Sequence, residues 1–219
     1  LEDEPIIFVQ VALTKGLGKS IQELMKPSNN SPKAYDTATF YSISNCQEGL
    51  SRVTLGNFLI KRVVYEIQEE LPHIKNFGTL SPIPGFADWF SYLEETKIKN
   101  ILGNLANQNM AFLKSQDLKI GDKKIIENKH AIIKLVTHYI VNEKNEKGLP
   151  LNDVSRFHLG NGAIVDDIVI NANISETGFK RSYGVMVNYL YELKNIEKNH
   201  EDYMNDNKVI VSNKIKKYL

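Results

Sequence analysis

Cysteine is almost missing from these 219 residues: Cys46 stands alone. A disulfide framework needs pairs and a thiolate zinc site needs several, so both are excluded, and the usage fits a reducing compartment. A surplus of one charge is missing as well. Lys and Arg total 27 against 26 Asp and Glu, a formal +1 that directs no global field at nucleic acid or an acidic membrane. No apolar run approaches the roughly 20 residues that span a bilayer, so no membrane partner is expected. The glycine-punctuated stretch around Gly49 and Gly56 is followed by no Gly-Lys-Ser/Thr, as a P-loop would be, and carries no Gly-x-Gly-x-x-Gly fingerprint. Among the five histidines, His130 and His138 are eight positions apart, not the i, i+4 of a helical metal pair, and His73 and His200 have no partner at ligand spacing. With 42% hydrophobic and 24% charged residues, the chain has an ordinary globular balance and length enough for one large domain over residues 1–219.

The opening "LEDEPIIFVQ" is acidic and then strand-like, unlike a signal or transit peptide, and reads as a piece of a longer protein. The closing "KIKKYL" carries no receptor-read address. The expected location is the cytoplasm or an organelle matrix.

Hydrophobic spacing predicts interleaved strands and helices. Strands are expected over Pro5 to Thr14, Thr37 to Ser44, Phe77 to Leu80, the run "IVDDIVINAN" and Gly184 to Leu193. Helical spacing appears over Ser20 to Met25, Leu55 to Leu71, Phe86 to Glu95, Ile98 to Leu113, Ala131 to Asn142 and Val209 to Lys217. His158 is expected in a segment passing through glycines into a strand, and the stretch after Leu193 is expected to be a polar loop. The fold class is therefore α+β, a mixed α/β arrangement.

Four segments could carry chemistry. "SNCQEGLSRVTLGNFLIKRVV" runs from a strand through a glycine-punctuated loop into a helix, where free N–H groups and Arg52 could hold an anion such as pyrophosphate. It serves equally as an ordinary strand-to-helix connection. "TLSPIPGF" fixes Ser81 ahead of Pro82 and Pro84, which hold φ, and Gly85, which admits angles closed to other residues. Such a turn is most often only structural. His158 in "FHLGNGA" and the pair Tyr189 and Tyr191, on one strand face, could likewise be satisfied core residues.

Taken together, "FYSIS…GL…LGNFLIKRVV", "PHI…F…LSPIPGF", "FHLGNGA" and "VMVNYLYEL" occur in the order and spacing of malonyl-CoA decarboxylases. The chain resembles that family from about Pro5 to Leu219, least in the Lys-rich middle. The resemblance implies an acetyltransferase-like (GNAT) fold, a mixed central sheet whose strands splay for the CoA arm. It also implies a preceding helical domain, absent from this sequence, through which a homo-oligomer would form. Residues Ser51, Arg52, Val53, Thr54, Leu55, Gly56 and Asn57 align with the family's malonyl-CoA-binding loop. Ser81 and His158 align with its catalytic serine and histidine, and Tyr191 with a supporting tyrosine. Thr54 stands where the family commonly has an acidic residue, and the chain ends Lys217-Tyr218-Leu219 without the peroxisomal ending of some relatives.

The implied reaction is decarboxylation of malonyl-CoA to acetyl-CoA and CO₂ with no cofactor, since the thioester carbonyl itself accepts the electrons. Ser81 and His158 are expected to hydrogen-bond, His158 delivering a proton to the enolate carbon because histidine ordinarily titrates near neutral pH. An acyl-CoA-dependent acyltransferase on the same fold and a silent CoA-binding module remain alternatives. Product analysis with malonyl-CoA separates them.

Overall fold

The computed structural model describes residues 7–45, 56–107, 109 and 119–219. A five-stranded mixed sheet forms its centre, in the order β1-β2-β3-β5-β4. The strands are β1 (Ile7–Thr14), β2 (Thr37–Asn45), β3 (Asn76–Thr79), β4 (Ile164–Val169) and β5 (Met186–Leu190). β1 and β2 run antiparallel, β2 and β3 parallel, and β3, β5 and β4 antiparallel. β-branched and aromatic residues dominate β2, as a pleated, half-buried surface favours.

The helices are α1 (Ile21–Leu24), α2 (Gly56–Glu70), α3 (Phe86–Ser91), α4 (Glu95–Leu102), α5 (Lys123–Glu127), α6 (Lys129–Val141), α7 (Asp153–Gly160), α8 (Glu176–Ser182), α9 (Ile196–Asp206) and α10 (Asn213–Lys216). α2 buries Ile60 and Val64 one turn apart and ends just before Pro72, which cannot continue it. α6 buries Ile132, Leu135, Val136, Tyr139 and Ile140, the set its spacing predicts. α6 packs against α4, α7 against α9, and α3 against α8.

β3 and β5 form the seam that matters for the site. Within the named strands they pair at Gly78 and Leu190, and pairing resumes beyond β3 at Ser81 and Val187. Side chains alternate across this seam. Phe77, Val187 and Tyr189 enter the main core, whereas Leu80 and Met186 join Val169 and Ala172 in a small cluster on the other face. Gly78 lies so close under Leu17 and the Tyr189 carbonyl that a Cβ would sit 2.4 Å and 2.7 Å from them.

Several expected boundaries shift. The helix expected over Phe86 to Glu95 stops at Ser91, and the next spans Glu95–Leu102. His158 lies within helix α7, not in a connection to a strand. The expected polar loop after Leu193 contains α9, whose buried Ile196, Asn199 and Tyr203 recur at helical spacing among charged residues.

Candidate active site

Ser81 is held before its side chain is considered. Its backbone N–H donates to Val187 O at 2.8 Å, and its carbonyl accepts from Val187 N at 2.9 Å. The chain then turns over Pro84 and Gly85, with Phe86 N–H donating to Ile83 O and Gly85 at φ +79°, the geometry of a type II turn. Tyr139 OH and the Asn152 side-chain amide both donate to Pro84 O, at 3.1 Å and 2.9 Å.

The histidine arrives from the opposite direction. Asn152 caps α7 by accepting from Ser155 N–H at 2.8 Å, and Ser155 and His158, three residues apart, share the helix face turned to the sheet. His158 Nε2 lies 2.9 Å from Ser81 Oγ, and His158 Nδ1 lies 2.9 Å from Tyr191 OH. The imidazole stacks on the Tyr189 ring with centroids 4.5 Å apart, while Ser155 Oγ meets Tyr189 OH at 2.7 Å. Ser81 also donates to Thr79 Oγ1 at 2.8 Å.

All these side chains are buried, and burial sets their charge states. Desolvation pushes the His158 pKa from its ordinary 6.5 down to about 3, so the ring is neutral at pH 7. The expectation that it titrates near neutrality is thereby corrected: the surrounding hydroxyls and aromatic rings supply no carboxylate to stabilise imidazolium. Desolvation likewise raises Tyr191 and Tyr189 well above the usual phenol range, keeping both protonated. Ser81, at 5% exposure, is buried as Thr79 (1%), His158 (3%) and Tyr191 (2%) are.

Thus Ser81, His158 and Tyr191 converge, joined by Thr79, Ser155, Tyr189 and Asn152. Thr79 was within reach of sequence reasoning, because it lies two residues before Ser81 on an extended segment and shares its face. Asn152 before Asp153 is a readable helix start that the glycines downstream obscured. Of the proposed binding loop, Ser51, Arg52, Val53, Thr54 and Leu55 lie outside the described residues, and Gly56 and Asn57 open α2.

The other histidines have separate partners: Pro32 O for His73, Tyr218 OH for His130, Glu143 for His138 and Gly160 O for His200. Among the described residues no cluster of three His, Cys, Asp or Glu forms a metal site, and no helix is long and apolar enough to cross a membrane. An open groove of about 600 Å³ is lined by Gly85, Trp89, Tyr92, Lys97 and Tyr139, and by neither Ser81 nor His158.

The profile of the malonyl-CoA decarboxylase C-terminal domain matches residues 1–219. The chain belongs to that family. The mitochondrial malonyl-CoA decarboxylase of Anser anser anser is 34% identical, the match covering 99% of this chain and 47% of that protein. The crystal structure of malonyl-CoA decarboxylase from Rhodopseudomonas palustris has a TM-score of 0.88 and 38% identity, covering 99% of this chain and 50% of that one. The loading GNATL domain of CurA from Lyngbya majuscula matches with a TM-score of 0.50 at 13% identity, covering 89% of this chain and 74% of that one. At that identity the likeness speaks for the fold, which is α+β and GNAT-like. The chain spans about half the length of the curated relatives it matches.

Proposed function

We propose that this member of the family decarboxylates malonyl-CoA to acetyl-CoA and CO₂ without a cofactor, at the site built by Ser81, His158 and Tyr191. The observation that carries the reading is the buried 2.9 Å contact between Ser81 Oγ and His158 Nε2, two residues brought from 77 positions apart. Ser51 to Asn57 would hold the CoA portion of the substrate. Assembly with a helical partner domain into a homo-oligomer, and residence in the cytoplasm or an organelle matrix, belong to the same reading.

In the reaction the bond between the carboxylate carbon and the α-carbon breaks. Its electron pair passes into the thioester as an enolate, and CO₂ departs. The protein must hold that bond perpendicular to the carbonyl plane and aim donors at the oxygen gaining charge. The dry surroundings replace the carboxylate's hydration with fixed dipoles. A proton must then bond to the α-carbon. His158 is neutral, so the delivering acid is an N–H or O–H group and not imidazolium. The enolate carbon is basic enough to draw the Ser81 proton, which His158 Nε2–H replaces, while Tyr191 O–H supplies Nδ1. The tyrosinate left behind, strongly basic in its buried setting, recovers a proton from water.

Incubation of the protein with malonyl-CoA, following CO₂ and acetyl-CoA together, tests this. Equal release of both is expected. Transfer only to an added amine, or unchanged turnover in His158→Gln, would overturn the assignment.

A further inference from the structure

Hydrogen bonds at the site have a direction, and the direction decides what Ser81 is able to do. A hydroxyl carries one proton. Ser81 places it on Thr79 Oγ1, 2.8 Å away, and therefore has none to give His158. The 2.9 Å contact between Ser81 Oγ and His158 Nε2 then needs its proton from the ring. A neutral imidazole with hydrogen on Nε2 has a bare Nδ1, and the group 2.9 Å from that nitrogen is the Tyr191 hydroxyl. With Ser81 donating to Thr79, whose Oγ1 also accepts from Tyr189 N–H at 3.4 Å, the ring contacts fall into one order: Tyr191 to His158, His158 to Ser81, Ser81 to Thr79.

We propose that Thr79 is a positioning residue that sets this polarity, holding His158 in its Nε2–H tautomer so that the site faces its substrate with donors. The inference rests on the decarboxylase reading and adds to it the reason that Ser81 is not a nucleophile. In a hydrolytic serine–histidine pair the hydroxyl points at the imidazole, which removes its proton for attack on a carbonyl. Here the order is reversed, and a thioester bound beside Ser81 meets an oxygen that is not being deprotonated. When a carboxylate or enolate oxygen arrives, it is a stronger acceptor than the Thr79 hydroxyl. The Ser81 proton turns to it while the His158–Ser81 bond stays in place.

Thr79 suits this task because its own position is fixed. It lies in β3 at the registered pair Phe40–Thr79, is buried, and its carbonyl accepts from the Asn188 side-chain amide at 2.9 Å. The full burial of His158, Tyr191 and Tyr189 removes competing water, and the low His158 pKa keeps a second ring proton from scrambling the order.

The test is nitrogen-15 NMR of histidine-labelled protein without ligand, with the His158 signals assigned by their loss in His158→Gln. Wild-type protein is expected to show hydrogen on Nε2 and a bare Nδ1. In Thr79→Val the Ser81 proton has His158 as its remaining acceptor, so the ring should shift to the Nδ1–H tautomer. Thr79→Ser, which keeps the hydroxyl, should restore the wild-type pattern. In turnover assays Thr79→Val should lower kcat by about tenfold, the worth of one such hydrogen bond, with KM nearly unchanged and kcat recovered in Thr79→Ser. A wild-type ring protonated on Nδ1, or a Thr79→Val spectrum identical to wild type, would overturn the proposal. The spectrum is read without substrate, so inactivity of wild-type protein toward malonyl-CoA would count against the decarboxylase reading and leave the polarity to be decided by NMR.

Discussion

Asn152 donates from its side-chain nitrogen to the Pro84 carbonyl at 2.9 Å, while its side-chain oxygen caps the helix that presents His158. One amide thus ties the turn after Ser81 to the start of α7. Distance between the two reacting groups is set by this tie and by the sheet, because Ser81 is bridged to Val187 and Tyr191 follows β5 directly.

Asn152→Ala removes both bonds, and with them the Ser155 Oγ donation to the same side-chain oxygen at 3.0 Å. Loss of the cap should destabilise the protein by about 1 kcal/mol, and the half-buried Pro84 carbonyl keeps the Tyr139 hydroxyl as its donor. Denaturant unfolding measures the loss of the cap and turnover the loss of the tie. A stability loss with kcat fully retained would show that the tie is not needed for Ser81 to meet His158.

Ser81→Ala deletes the hydroxyl with little change in shape. Turnover should fall by roughly 10²–10³, as when a single donor to a developing oxyanion is removed. Malonyl-CoA binding, measured by calorimetry, should change far less. An equal fall in affinity and rate would assign Ser81 to substrate binding and not to the transition state.

For His158 the folded pKa is about 3 and the ordinary value 6.5. Between those values the unfolded chain binds a proton that the folded chain refuses. This group's contribution to stability is therefore complete above pH 6.5 and is lost as pH falls, at a slope of up to about 1.4 kcal/mol per pH unit. The stability gap between wild type and His158→Gln should narrow along that slope from pH 6.5 to 4. Parallel unfolding curves would contradict the burial argument. Turnover of the wild type should show no ionisation of His158 between pH 5 and 8.

Gly162, at φ +78°, has the Ile196 carbonyl oxygen only 2.1 Å from where a Cβ would stand. Gly162→Ala should cost more than the roughly 1–2 kcal/mol of the left-handed conformation alone, since backbone must move. The displacement would reach α7 through Ala163 N–H, which donates to His158 O at 3.1 Å. A large drop in Tm with impaired turnover is expected, and an unchanged Tm would refute it.

Strand and helix content was legible where a periodic pattern coincided with burial. α2 and α6 each show an apolar face, and β2 is dense in strand-forming residues, so local preference and core position agree. α7 and α9 were misread because their buried residues are partly polar: Ser155 and His158 in one, Asn199 in the other. A hydrophobic pattern does not register side chains buried for hydrogen bonding. Among the site residues, Ser81 stood out because two prolines stiffen its neighbours, whereas Thr79, Ser155 and Asn152 look like ordinary strand and helix-start residues until their partners are known.

The amino-acid order by itself determined the family, the mixed α+β class and the rigid turn that follows Ser81, because these depend on local stereochemistry and spacing. Tertiary structure alone decided that His158 is neutral, that Tyr191 bonds to its other nitrogen, and which way the Ser81 proton points. Those properties arise from desolvation and from contacts between residues far apart in the chain, and no local pattern encodes either.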